Sequence, residues 1–160
     1  MTGVQTCALP ISNIDDVADF MRLLAPPPQG PLTASASAGV GVFQDAECAT
    51  CHKPQMFTGA SSVAALSNKP VPLYSDLLLH YMGTLGDHIA QGAAGLNEFK
   101  TPPLWGLRAS APYLHDGRAA TVDTAIRLHS GEAAHSRDPV QVSGRPGIPP
   151  RSSPIHHPEQ

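Results

Sequence analysis

One pentapeptide constrains this chain more than any other feature: Cys48-Ala49-Thr50-Cys51-His52. A Cys-x-x-Cys-His sequence is the attachment signature of c-type haem, in which two thiols bind the porphyrin covalently and the histidine binds the iron. We therefore expect one covalently bound haem c, with Cys48 and Cys51 as attachment residues and His52 as the proximal iron ligand.

Two other kinds of site use closely spaced cysteines. A thioredoxin-like redox pair needs a βαβ context, and the sequence on either side of the motif lacks the alternation of strands. A structural zinc site needs four ligands, usually with a second Cys/His pair. Besides Cys48 and Cys51, the chain has one cysteine, Cys7, which lies far upstream of the motif. Both alternatives are therefore weaker than haem attachment.

Composition bounds the remaining possibilities. The 160 residues are enough for one domain, and 17 prolines with 14 glycines indicate long irregular loops. The net charge is −3 and there is no basic block, so we expect no nucleic-acid partner. No apolar run approaches the length of a membrane span, and residues 1–12 do not have the pattern of a signal peptide.

Helical signals dominate the pattern of apolar residues. Asn13 is a good N-cap, and the apolar residues that follow it recur at helical spacing. Gly39 and Phe43 lie in a second helical stretch that leads into the haem motif. We expect helices at about 13–24, 37–47, 74–82 and 121–129, joined by loops. The predicted fold class is therefore all-α, a cytochrome c-like haem domain with long irregular loops.

The iron also needs a residue on its distal side or an open position. In the last predicted helix, Ala125, Ile126 and His129 share one apolar face, and an imidazole placed there needs a partner because burying it unpaired is costly. His129 is therefore a candidate distal ligand. Met82 is the alternative, since a thioether is also a haem ligand. His80, His88 and His115 are weaker candidates.

Three stretches together resemble a known family: residues 101–105 (TPPLW), 111–118 (APYLHDGR) and 121–129 (TVDTAIRLH). They are similar to the bacterial di-haem cytochrome c peroxidases and their MauG-like relatives, most of all to the di-haem oxidoreductase branch. There, T-P-x-L, A-P-Y-x-H-D-G and a following helix close the second haem domain. The resemblance covers residues 13–137. An axial methionine or tyrosine stands in those relatives where this chain has His129, so the resemblance implies a distal role for that residue.

The resemblance further implies a pair of haems in a periplasmic enzyme. One haem accepts electrons from a small donor protein, and the other, in an N-terminal haem domain, reacts with peroxide. This sequence has a single Cys-x-x-Cys-His, so we expect the chain to be the electron-transferring second haem domain, without full activity in isolation. The family also implies a calcium ion in the full-length enzyme, near the turn at 110–112. The alternative is a stand-alone mono-haem cytochrome c that only carries electrons.

These expectations divide the chain into four parts. Residues 1–12 are expected to be a non-native or disordered leader, and residues 13–36 the end of a preceding haem domain with a proline-rich linker. Residues 37–137 are expected to form the cytochrome c-like haem domain. Residues 138–160 are rich in proline, serine and arginine without an apolar period, so we expect a disordered tail.

Overall fold

The computed structural model of the chain describes residues 11–137. Three α-helices lie in this part of the chain, together with four short 3-10 helices and two small antiparallel sheets. The α-helices are α1 (Ile11–Leu23), α2 (Ala34–Asp45) and α3 (Val122–Leu128). The strands are β1 (Met56–Phe57), β2 (Pro70–Val71), β3 (Leu79–Tyr81) and β4 (Glu98–Lys100), paired β1 with β2 and β3 with β4.

The prediction of an all-α, cytochrome c-like fold is therefore wrong. The described chain is mixed, with more irregular loop than helix and with strands where a helix was expected at 74–82. Tyr74 and Leu77 have left-handed backbone conformations, with φ of 53° and 61°, which a right-handed helix does not allow. A short apolar run fits a helix or a buried strand equally well, and pairing with the distant β4 decides the outcome here.

The first helix begins earlier than its cap residue suggests. α1 starts at Ile11, two residues before Asn13, and its apolar side chains are exposed: Ile14 is 53%, Val17 56% and Met21 61% accessible. Most of the expected leader, residues 1–10, and the expected tail, residues 138–160, lie outside the described residues. No helix of residues 11–137 is long and apolar enough to cross a membrane.

The second helix leads directly into the pentapeptide, as expected, although it starts a turn earlier. Thr33 caps α2 by accepting a hydrogen bond from the Ala36 amide at 3.1 Å. Beyond the end of α2, Glu47 takes a left-handed conformation with φ of 59°, and the chain turns into the 3-10 helix Cys48–Thr50. The pentapeptide thus starts at the end of a capped helix.

Hydrogen bonds, rather than a large apolar core, hold the loops together. Only three hydrophobic residues of the described chain are buried, Leu85, Ala119 and Ala125, and two of them are alanines. The fully buried Ser75 donates to the Thr101 carbonyl at 2.7 Å, and the Trp105 indole donates to the Pro72 carbonyl at 2.7 Å. These bonds tie the 72–75 segment, which borders the pentapeptide, to the loop after β4.

Candidate functional site

The pentapeptide forms one tight turn. The His52 amide donates to the Cys48 carbonyl at 2.9 Å, closing the turn over the 3-10 helix. Cys48 and Cys51 are half-buried and do not form a disulfide. Burial, followed by the nearby Asp76 carboxylate, raises the pKa of the Cys51 thiol, which favours the protonated thiol. The turn therefore presents both thiols and the imidazole from a single short segment.

The His52 ring is oriented by the backbone of a separate loop. Its Nδ1 lies 2.9 Å from the Tyr74 carbonyl oxygen, which can only accept a hydrogen bond, so Nδ1 carries the proton and Nε2 has the free lone pair. Burial lowers the pKa of His52, which favours the neutral ring. A neutral imidazole anchored through Nδ1 is the form that binds a metal through Nε2.

Tyr74 is itself held in place from two sides. Its ring packs edge-on against Phe43 of α2, with ring centroids 6.0 Å apart and planes at 79°. Next to it, the Ser75 amide donates to the Lys53 carbonyl at 3.1 Å. The left-handed φ of 53° at Tyr74 costs a non-glycine residue roughly 1 kcal/mol or more. These contacts maintain that conformation, and it aims the carbonyl at His52.

The same orienting bond recurs at His129. Thr121 caps α3 by accepting from the Thr124 amide at 3.1 Å, and His129 is the residue at which the helix ends. The His129 Nδ1 lies 2.7 Å from the carbonyl of Ala125, one turn back along the same face. Because that carbonyl also can only accept, His129 has its proton on Nδ1 and its lone pair on Nε2.

His52 and His129 lie close enough to affect each other electrostatically. After burial and the bond to Tyr74, the charge of His129 is the next influence on the pKa of His52, and it lowers that pKa. Two thiols in one turn and two imidazoles, each with Nε2 left to bind a metal, make a donor set that fits haem c. Which residue binds on the distal side stays a prediction.

Met82, the alternative distal residue, lies at the start of the 3-10 helix Gly83–Leu85 and is half-buried. Its amide donates to the Asn97 carbonyl at 2.7 Å, and its carbonyl accepts from the Ser130 hydroxyl at 2.5 Å. The backbone of Met82 is therefore anchored beside the residue that follows His129, and both candidates belong to one region of the molecule.

A cluster of charged residues beside Cys51 was missed in the sequence. The His80 ring lies between two carboxylates, with Nε2 2.9 Å from Asp76 and Nδ1 2.8 Å from Glu132. The hydrogen bond that His80 donates to Glu132 is the largest influence on the pKa of His80, and it raises that pKa. The Cys51 sulfur is 3.8 Å from His80 Nδ1. Asp76 and His80 are only four positions apart, so their contact is local in sequence, whereas nothing local points to Glu132.

The two remaining candidate ligands, His115 and His88, have different surroundings. His115 stacks on Phe99, with ring centroids 4.2 Å apart, and its Nε2 is 3.9 Å from the Asp87 carboxylate. His88 is exposed and has a left-handed φ of 63°. Neither ring shows the bond from Nδ1 to a backbone carbonyl that His52 and His129 share.

Two curated relatives resemble the chain over most of its length. It is 28% identical over 130 residues to the methylamine utilization protein MauG of Methylophilus methylotrophus, an alignment that covers 75% of this chain and 33% of that protein. It is also 28% identical over 127 residues to the cytochrome c peroxidase Ccp of Escherichia coli (strain K12), covering 72% of this chain and 27% of the relative. The chain thus spans about a third or less of these relatives' lengths. No solved structure matches it.

The family comparison covers more of the chain. Residues 5–144 match the family described as "Di-haem oxidoreductase, putative peroxidase". This match includes the pentapeptide, the loop at Tyr74 and α3, and it confirms the resemblance inferred from the sequence stretches after residue 100. The chain belongs to the di-haem oxidoreductase family.

Proposed function

We propose that this chain is the haem c-binding, electron-transferring part of a di-haem peroxidase-type oxidoreductase. Cys48 and Cys51 hold the haem through thioether bonds, His52 is the proximal ligand and His129 the distal ligand. One observation supports the proposal most strongly. Each of the two histidines donates Nδ1–H to a backbone carbonyl, at 2.9 Å and 2.7 Å, which leaves Nε2 for iron.

The residues of the chain have separate tasks in this proposal. When bound, the haem supplies one-electron redox chemistry. The turn at 48–52 fixes the position of the cofactor, and the Tyr74 carbonyl fixes the plane of the His52 ring. The Ala125 carbonyl, within α3, does the same for His129 at the end of that helix. Orienting bonds of this kind also raise the basicity of a ligating imidazole.

The remaining parts of the reaction belong to the whole protein. The family is di-haem, whereas this sequence contains one Cys-x-x-Cys-His, and the alignments cover only 33% and 27% of the relatives' lengths. We place the peroxide-reacting haem in an N-terminal domain of the same enzyme and the source of electrons in a small donor protein. The proposed location is the periplasm. A calcium ion in the full-length enzyme stays a prediction of the resemblance.

Covalent attachment is the first test. Expressed with a periplasmic haem-ligation system, the chain should keep its haem through acid–acetone extraction and give a c-type pyridine haemochrome. Cys48→Ala and Cys51→Ala should each impair the linkage, because each removes one thioether. Cys7→Ala is the matched control and should leave the yield unchanged. Haem that is fully extractable from the parent chain would contradict the proposal.

A stand-alone mono-haem electron carrier is the second candidate, favoured by the single attachment motif in these 160 residues. Both candidates exchange single electrons, so attachment alone does not separate them. The full-length protein separates them: a second Cys-x-x-Cys-His upstream, together with peroxide turnover that we expect the present chain alone to lack, supports the di-haem enzyme. Efficient peroxide turnover by this chain alone would contradict the division of tasks proposed above.

A further inference from the structure

Three residues follow His129, the residue at which α3 ends, and they pack closely against the end of β3 and the segment after it. We call Ser130, Gly131 and Glu132 the 130–132 joint. Gly131 has a left-handed φ of 61°, and a Cβ at this position would collide with the Tyr81 carbonyl oxygen and lie 2.8 Å from the Gly83 nitrogen. Gly83 is equally restricted, since its own Cβ would lie 2.8 Å from the Gly131 nitrogen. The two backbones therefore touch, and only glycine fits at the crossing.

The first residue of the joint fixes this crossing from the His129 side. Ser130 is 6% accessible, and its hydroxyl donates to the Met82 carbonyl at 2.5 Å while accepting from the Thr84 amide at 2.9 Å. One buried side chain thus satisfies two backbone groups of the opposite segment. Removing its hydroxyl leaves both groups without that partner.

The last residue of the joint uses both of its carboxylate oxygens. Glu132 Oε1 accepts from the Tyr81 amide at 3.0 Å, and Oε2 lies 2.8 Å from His80 Nδ1. The other nitrogen of His80 is bonded to Asp76 at 2.9 Å, and the same ring lies against Cys51. Hydrogen bonds therefore run from the joint to the His80 ring, and that ring contacts the haem attachment turn at the Cys51 sulfur, 3.8 Å from Nδ1.

α3 needs such an anchor. It has seven residues, and a helix this short is not stable without tertiary contacts. His129 is at its C-terminal end, where fraying is greatest, and its ring bond to Ala125 lies within the same element. That internal bond orients the ring on the helix, but it does not locate the helix end relative to the pentapeptide.

We propose that Ser130 and Glu132 are positioning residues for the distal ligand, holding His129 in register with the haem attachment turn through the 130–132 joint. This inference rests on the proposed function, because it requires haem at the pentapeptide and His129 as its ligand. Met82 is held at the same crossing, so loosening the joint changes the competition between the two candidate ligands.

The test uses the haem-loaded chain and spectroscopy rather than turnover. Electron paramagnetic resonance and absorption spectra measure the ratio of molecules that have lost His129 from the iron to those that keep it. Ser130→Ala should raise this ratio about tenfold, because two backbone groups lose their buried partner. Glu132→Ala should also raise it, and Glu132→Gln less so, since the amide oxygen of glutamine can still accept from Tyr81. Added imidazole should restore the bis-histidine spectrum in each variant.

Matched controls remove similar bonds elsewhere. Ser67→Ala deletes a hydroxyl that accepts from the Ser61 amide at 3.1 Å, and Glu98→Gln alters a carboxylate that accepts from the Gly95 amide at 2.7 Å. Neither should change the ratio. If the joint had only a general stabilising role, these controls would shift the spectra as much as the joint variants do, and that result would overturn the proposal.

The outcomes separate the two levels of inference. Absence of covalent haem in the parent, or a spectrum that His129→Ala leaves unchanged, overturns the proposed function and the positioning role with it. If His129→Ala changes the spectrum of the parent chain but Ser130→Ala and the Glu132 variants do not, the positioning role alone is overturned. Should Ser130→Ala fail to fold, the exposed Glu132 decides, because Glu132→Gln keeps size and shape.

Discussion

Three histidines of this chain differ in what their ring nitrogens contact, and those contacts assign their chemistry. His52 and His129 each bond one backbone carbonyl through Nδ1, which leaves a lone pair on Nε2. His80 bonds a carboxylate through each nitrogen, so both nitrogens carry protons and no lone pair is left. Residue type alone does not separate a ligand from a charged clamp, whereas the hydrogen-bond partner does.

Asp76 and Glu132 flank the two ring nitrogens of His80, and we call this arrangement the His80 clamp. The clamp should make the stability of the folded chain depend on pH. The hydrogen bond that His80 donates to Glu132 raises the pKa of His80 above its ordinary 6.5. The contribution of protonated His80 to the stability of the folded chain is therefore fully present below pH 6.5 and is lost as pH rises through the raised pKa. The His80 bond lowers the pKa of Glu132 below 4.5, so its contribution is present above pH 4.5 and is lost as pH falls through the lowered pKa. The clamp should therefore stabilise most between pH 4.5 and 6.5.

Thermal unfolding of the parent and of His80→Gln at a series of pH values measures this effect. The difference in melting temperature between the two proteins should be greatest inside that window and shrink on either side of it. Melting curves that stay parallel across the whole range would show that the clamp does not contribute through its charges.

At the scale of elements, α3 is where local sequence determines the geometry of the candidate site. Thr121 caps its first turn, and the exposed pair Asp123–Arg127 spans its outer face with N–O distance 2.7 Å. Thr121→Ala should destabilise the chain by about 1 kcal/mol, the usual cost of losing an N-cap. Because His129 ends the same short helix, the variant should also weaken ligation by His129.

Thr33→Ala is the matched control, since Thr33 caps α2 through an equivalent bond of 3.1 Å. Denaturant unfolding should show a similar loss of stability for both variants, while the haem spectrum should change only for Thr121→Ala. Equal spectral changes in the two variants would mean that ligation follows overall stability and not the position of α3.

The elements that could be predicted from sequence are those specified by neighbouring residues. α2 and α3 form near the expected positions because a threonine cap and an apolar period lie within each segment. The segment 74–82 was predicted wrongly, because β3 forms only by pairing with β4, and left-handed residues such as Tyr74 are not visible in a pattern. The contact of His80 with Glu132, 52 positions apart in the chain, was equally beyond local reasoning.

At the scale of the whole molecule, the candidate site is assembled from segments far apart in sequence. The pentapeptide supplies the thiols and His52, the loop at Tyr74 orients that ring, and α3 brings in His129. Family membership is shown over residues 5–144, and within that span these segments converge although few large apolar side chains are buried among the described residues. The fold is thus organised around the donor set more than around a side-chain core.

The ligation of the haem-loaded chain tests this account most directly, by absorption and electron paramagnetic resonance spectra of the parent, His129→Ala and Met82→Ala. The parent should be low-spin with two histidine ligands and without the weak far-red band of thioether ligation. His129→Ala should give a high-spin signal, and Met82→Ala should leave the spin state unchanged. The account would be contradicted if the parent showed the spectrum of methionine ligation, if Met82→Ala abolished that spectrum, and if His129→Ala left it unchanged.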